Sequence, residues 1–403
     1  MSRKLKDWIK GYLEYTENQE SPTLFHLWSA IAALSAATLR NVWLDFRLFK
    51  VFTNFYIILV APPGRCKKST SLQISHSLIN QLPFPPNTLS QKITPQALIS
   101  ALSRGGGQGP GGFKDMRATG LIYASELGSC LDATAERLGV YILLCDLYDC
   151  PDLWSYETVG RGKEVLRETG LNIYGGTTPR WIRTSMPSGV VGEGFAARVV
   201  FVYQEDTSRV VPLSKLAEVD RELEKDLIAD LAEVQKLKGT MKLSEGAYEA
   251  YELVVKGIKE QSLAEGMMEY SARRPMLTLR TAALISISRG DSLVVDTEDV
   301  VIADGYLVET ERGLAELYRL IQTTQRGDDS AYVLRHIAAK GELTRTALMR
   351  DMSHRFSGKE LDVVIGTLEA SGGIQVFRKI NPSTNRYTTV YKFSEEPFNP
   401  PQT

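Results

Sequence analysis

Four cysteines and four histidines are all that 403 residues contain, and no two of the cysteines, Cys66, Cys130, Cys145 and Cys150, form a CxxC pair. A zinc site needs such spacing and a disulfide framework needs a denser set, so neither is expected. Free thiols suit a reducing cytoplasm, where disulfides rarely persist. Net charge is also nearly absent, with 47 basic against 48 acidic residues leaving −1. The field of the whole chain therefore does not draw phosphate, and any nucleic-acid contact has to come from local basic surface. No apolar stretch reaches the ~20 residues needed to span a bilayer. The longest, Leu24 to Leu39, contains His26 and Ser29 and is expected to be a buried helix. The start, MSRKLKDWIKGYLEY, mixes acidic and aromatic residues where a secretory signal has an apolar core, so export is not expected.

What remains is the composition of a folded protein, 43% hydrophobic and 24% charged, at a length that suits two or three domains. Residues 1–50 are expected to be helical, with Ser21-Pro22-Thr23 as a start signal and Trp43-Leu44-Asp45-Phe46 closing the segment. The period then changes. Phe55 to Val60 is a short, continuously apolar run, and Gly120 to Ala124, Leu171 to Gly175 and Arg198 to Tyr203 repeat the pattern. Such runs fit strands buried on both faces, and their alternation with helices predicts an α/β class with a parallel sheet over 51–213. Between the first two lies Arg104-GGGQGPGG-Phe113, whose glycine density predicts a mobile surface loop without helix or strand. Residues 214–328 are nearly all helical in pattern, as in a lid. Three helices and a hairpin around Asn381-Pro382-Ser383 predict a winged helix over 329–397.

The first apolar run ends in Ala61-Pro62-Pro63-Gly64-Arg65-Cys66-Lys67-Lys68-Ser69-Thr70, followed by a helical segment. Strand, glycine-containing turn and helix N-terminus are what a nucleotide-binding P-loop requires, with Pro63 to Thr70 around the phosphates. The spelling departs from GxxxxGK[ST], because Cys66 precedes the lysine pair and the hydroxyl waits until Ser69. Either Lys67 or Lys68 can therefore be the phosphate lysine. A lysine-rich helix cap after a Pro-Pro turn is the structural alternative.

The chain resembles a family of phage and prophage P-loop proteins associated with helicases and primases, itself similar to the minichromosome-maintenance branch of AAA+ helicases. The likeness runs through Phe25-His26-Leu27-Trp28-Ser29, the loop just described, Ala124-Ser125-Glu126-Leu127, Leu147-Tyr148-Asp149-Cys150, Gly175-GTTPRW-Ile182 and Gly192-EGFAARVVFV-Tyr203. The resemblance implies an AAA+-like P-loop NTPase using ATP and Mg²⁺. In it Lys67 matches the family's lysine, Ser69 the metal-binding hydroxyl and Glu126 the Walker B acid, with Ser125 where the usual aspartate stands. It further implies Thr177 or Thr178 as a polar sensor, Arg198 as an arginine finger acting on a neighbouring subunit, and Arg273 or Arg274 as a second sensor. A trans arginine implies a homo-oligomeric ring, expected to be hexameric.

Two regions carry the charge for DNA. Trp154 to Leu166 alternates and reverses at Gly160 and Gly162, which predicts a hairpin with Arg161 and Lys163 at its tip, where related ring helicases point a hairpin into the central channel. Over 331–395 ten basic residues outnumber six acidic ones, and Arg378 and Lys379 lie in the expected wing. The leading expectation is an ATP-dependent DNA helicase or translocase in the replication of a phage or mobile element, working in the host cytoplasm. A helicase loader or replication initiator, and a catalytically inactive DNA-binding scaffold, are the alternatives.

Overall fold

Each continuous apolar run forms a strand of one sheet. In the computed structural model, which describes residues 3–90, 93–105, 107–108, 114–131, 137–158, 162–185, 194–207, 210–212, 220–260, 268–353, 355–381 and 386–394, the chain forms two compact units, Met1–Tyr318 and Arg319–Thr403. The segments 1–50, 51–213 and most of 214–328 share the first unit.

That unit opens with α1 (Trp8–Tyr15), α2 (Thr23–Thr38), β1 (Val42–Asp45), β2 (Lys50–Phe52), β3 (Tyr56–Val60) and α3 (Lys68–Asn80). There follow β4 (Thr88–Leu89), α4 (Pro95–Ser103), β5 (Gly107–Gln108), β6 (Lys114–Asp115), β7 (Thr119–Ala124), α5 (Leu127–Cys130) and α6 (Arg137–Tyr148). Next are β8 (Leu153–Thr158), β9 (Gly162–Arg167), β10 (Gly170–Thr177), α7 (Pro179–Ser185), α8 (Phe195–Arg198) and β11 (Val199–Tyr203). It continues through α9 (Arg221–Lys236), β12 (Gly239–Leu243), α10 (Glu245–Glu260), α11 (Met268–Arg289) and β13 (Val294–Val295) into α12 (Thr297–Lys340).

The central sheet has five parallel strands in the order β11-β3-β10-β7-β4. Every residue of β3, β10 and β11 is buried, so both faces are covered, as the unbroken apolar runs require. Helix α2 is buried from Leu24 to Thr38, and Trp28 Nε1 donates to Thr310 Oγ1 at 2.8 Å, tying it to α12. Gly176 of β10 decides how closely α3 approaches. A Cβ there would stand 2.9 Å from Leu72 Cδ1 and 2.9 Å from the Ser125 carbonyl oxygen.

Three local expectations are corrected. Residues 42–52 form strands, not the end of a helical segment, and belong to a second sheet in the order β13-β12-β1-β2. Its partners Gly239 to Met241 lie far along the chain, so no local period announces it. For the same reason the region from 214 is not all helix, being broken by β12 and β13. The glycine-rich stretch contains a short antiparallel pair, Gly107–Gln108 with Lys114–Asp115, anchored where Arg117 Nε and Nη2 donate to the Asp115 carboxylate at 3.0 and 2.7 Å. Residues 106 and 109–113 lie outside the described residues.

The second unit contains the end of α12, then β14 (Glu342–Thr344), α13 (Arg345–Met352), α14 (Gly358–Ala370), β15 (Ile374–Asn381) and β16 (Arg386–Phe393). Its sheet is antiparallel in the order β14-β16-β15. It has an apolar core of its own, including Val333, Ile337, Leu348, Leu361, Val364, Leu368 and Tyr391. A capping box at Ser357 and Glu360 starts α14. Among the described residues no helix is long and apolar enough to cross a membrane.

Gly176→Ala is expected to destabilise the first unit by about 1–3 kcal/mol, the usual cost of overpacking, because one of the two contacts is with immovable backbone. Thermal melting followed by circular dichroism checks it, and an unchanged midpoint would show that α3 has room to move.

Candidate active site

At the carboxyl end of β3 the chain turns through 61–67 into α3. Gly64, Cys66 and Lys67 all have positive φ, at 73°, 58° and 45°. Left-handed backbone costs a non-glycine residue roughly 1–2 kcal/mol, so two in succession persist only where neighbours impose them. Ser21 Oγ donates to the Lys67 carbonyl at 3.0 Å, and Cys66 Sγ lies 3.6 Å from the Gln204 carbonyl as a weak donor. Lys67 occupies the N-cap of α3 without any side-chain cap bond, which leaves the first N–H groups open to an anion at the positive end of the helix dipole.

The two lysines part at this point. Lys67 is exposed and its Nζ lies 3.6 Å from Glu20 Oε2. Lys68 is buried, and its Nζ turns back to donate to the Ala61 carbonyl at 3.2 Å. Burial pushes the Lys68 pKa down, while the Glu126 carboxylate pulls it back up. Pro63, Gly64 and Arg65 form the exposed rim, with Arg65 Nη1 3.7 Å from Asp206 Oδ2. Ser69 is exposed in the first turn and Thr70 half-buried beside it. Burial raises the Cys66 pKa to about 11, so this thiol stays neutral beside an anion.

Glu126 follows β7 and is exposed. It stands at the N-cap of α5, yet its side chain makes no capping bond, so the carboxylate is left for other partners. Strand β10 lies between β3 and β7 and ends in Thr177, whose carbonyl accepts from the Ala61 N–H at 3.3 Å. The Thr177 side chain is fully buried, and its Oγ1 has no hydrogen-bond partner among the described residues. Thr178 is already engaged, accepting from the Trp181 N–H at 3.2 Å as the cap of α7. From β3 the chain crosses to the far edge, returns through β7 and β10, and reaches the other side of β3 only as β11. A crevice outside the carboxyl ends at such a reversal is where open α/β sheets bind ligands.

The arginines lie elsewhere. Val199 is in register with Tyr56 and Tyr203 with Val60, so Arg198 stands at the amino end of the sheet, roughly 13 Å or more along the strand from the loop. Its Nη1 donates to the Gly194 carbonyl at 3.0 Å, and its Nη2 lies 3.6 Å from Asp149 Oδ2. Arg273 Nη1 approaches the other oxygen of Asp149 at 3.8 Å. Arg274 is buried and consumed by Asp304, at 2.8 Å, and by Glu311 and Thr278. Neither Arg273 nor Arg274 is placed at the loop of its own chain.

The hairpin β8–β9 forms with Thr158 opposite Gly162 and Glu157 opposite an exposed Lys163, while Arg161 lies outside the described residues. Arg378 and Lys379 are exposed on β15, and Lys379 pairs with Glu342. Glu20, Ser21 and Asp149 are not expected as site residues from the sequence: Ser21 reads only as a helix start and Asp149 only as part of a family-like stretch, and the partners of all three are distant along the chain. Among the described residues no group of three or more His, Cys, Asp or Glu could hold a metal ion. No family model and no curated protein matches this chain.

Lys68→Ala is expected to weaken binding of ATP in the presence of Mg²⁺ by roughly 10- to 100-fold, equivalent to about 1.5–3 kcal/mol for a charge-assisted bond. Lys67→Ala should change it less than about threefold, since an exposed ion pair contributes little. Titration calorimetry distinguishes the two, and the reverse ranking would assign the phosphate to Lys67.

Proposed function

We propose that this chain is an ATP-dependent DNA helicase or translocase that works as a ring of identical subunits, expected to be hexameric, in replication of a phage or mobile element. The observation that carries the ATPase reading is the convergence of an uncapped helix N-terminus, the buried Lys68 and the unengaged Glu126 at one end of the sheet, with Thr177 between them. Lys68 is suited to clamp the transferred phosphoryl group, with Lys67 at the mouth of the loop. Glu126 is suited to orient the attacking water, and Thr177 to sense the phosphate through its unpaired hydroxyl. Ser69 and Glu126 are the residues that would hold Mg²⁺, which would supply positive charge to offset that of the phosphates.

The ring reading rests on Arg198. A side chain at the amino end of the sheet does not reach the loop at the carboxyl end of the same sheet, and the resemblance assigns this arginine to a neighbour's nucleotide. The hairpin β8–β9, with Lys163 and Arg161, is the element suited to DNA in the channel. The phage setting rests on the sequence resemblance alone. A forked-DNA assay tests the whole reading: strand displacement should require hydrolysable ATP and scale with added protein. ATP turnover without displacement would favour a loader or remodelling ATPase, and absence of turnover a scaffold.

The second unit is suited to a winged-helix role, with helix, strand, two helices and a two-stranded wing in that order. Its charge favours one mode of contact. The exposed face of α14 sets Lys359 against Glu360, Asp362 and Glu369, whereas β15 and β16 carry Arg378, Lys379, Arg386 and Lys392 with no acidic residue. Phosphate contact therefore belongs to the wing. Arg378→Ala with Lys379→Ala should weaken duplex binding about equally for all sequences and reduce the salt slope by about 2. Fluorescence anisotropy across a salt series measures it; a slope that does not change would move DNA off the wing.

A further inference from the structure

We infer that Asp149 is a positioning residue that gathers Arg198 and Arg273 into one cationic pair directed at the nucleotide of a second copy of this chain. The inference rests on the ring reading above and extends it to a third residue.

Asp149 follows directly on α6, whose last residue is Tyr148, and Cys150 at φ 50° then turns the chain away. A carboxylate at a helix C-terminus opposes the helix dipole, so the position is unfavourable unless cations compensate it. Two do, one at each oxygen, at 3.6 and 3.8 Å. A third nearby arginine, Arg280, stacks on the Tyr148 ring at 4.2 Å, but its Nη1 is consumed by the Asn54 carbonyl at 2.8 Å and it is buried.

Two features show that the arrangement is built to face outward. The Asp149 side chain is 57% exposed and that of Arg273 36%, while Arg198 reaches them from a 14% exposed position along the Tyr148 ring at 5.8 Å. Two guanidiniums on one carboxylate also leave a net charge of +1. Both contacts exceed hydrogen-bonding distance, so the guanidinium donors are not saturated, and Arg198 Nε is buried with no partner among the described residues. The carboxylate keeps two like charges together that would otherwise repel, and phosphate oxygens can replace it at either arginine. The amino end of the sheet, where this group lies, is remote from the loop of its own chain.

Complementation between inactive variants tests this. Asp149→Asn should lower kcat for ATP at least about tenfold with KM little changed, because the binding loop of each subunit is intact, and Asp149→Glu should restore part of it. Mixed with Lys68→Ala protein, under conditions where labelled subunits exchange, Asp149→Asn should regain turnover, since one subunit supplies the loop and its neighbour the arginines. Mixed with Arg198→Ala or Arg273→Ala it should regain none, because all three defects lie on the same side of the interface. Recovery with Arg198→Ala, full activity of Asp149→Asn alone, or no recovery with Lys68→Ala while Arg198→Ala does recover with it, would each overturn the role of Asp149. If Arg198→Ala and Lys68→Ala themselves fail to complement despite exchange, the ring falls and this inference with it.

Discussion

Everything at the candidate site depends on how tightly β10 is wedged between its neighbours where it ends. Gly175 and Gly176 present no side chain, so the Ala124 and Ser125 carbonyls of the adjoining chain and Leu72 of α3 all come within van der Waals reach of the same short stretch of backbone. That closeness brings the start of α3, with Lys68, and the turn after β7, with Glu126, to a common end of the sheet. A bulkier strand end would separate the two charges, and the mutual effect of Glu126 on Lys68 would fade with the distance.

The main sheet was legible in the sequence because its strands are buried on both faces and so write themselves as unbroken apolar runs. Tyr56 to Val60 and Val199 to Tyr203 needed no knowledge of their partners. The second sheet was not legible. Val42 to Asp45 pairs with a strand about two hundred residues later, and four residues are too few to show a period of two. Edge strand β4, two residues long, left no trace for the same reason.

Among the candidate site residues, the structure separates neighbours that the sequence leaves equivalent. The two adjacent lysines are equivalent in sequence; backbone geometry separates them, because the left-handed N-cap turns Lys67 outward and Lys68 inward. The adjacent arginines 273 and 274 are separated by burial, one spent on carboxylates inside the unit and the other left at the surface. Thr177 and Thr178 divide likewise, the second serving its own helix cap. In each pair the sequence offers two adjacent candidates, and the structure gives them different surroundings. In the second unit the basic residues can be counted in the sequence, but their distribution between α14 and the strands β15 and β16 depended on which faces the core left exposed.

The tether on Lys67 has a mechanical consequence. Its carbonyl is held by Ser21 and its ammonium sits beside Glu20, while the Glu20 carbonyl in turn accepts from Thr207 Oγ1 at 2.8 Å, beyond the end of β11. The loop is thus tied to the segment that joins the first two helices and, through Glu20, to the chain leaving β11, the strand beside β3. Pulling on it at the middle loads both anchors at once, so a push delivered by whatever occupies the loop is felt simultaneously at the N-terminal helices and at the exit of the sheet.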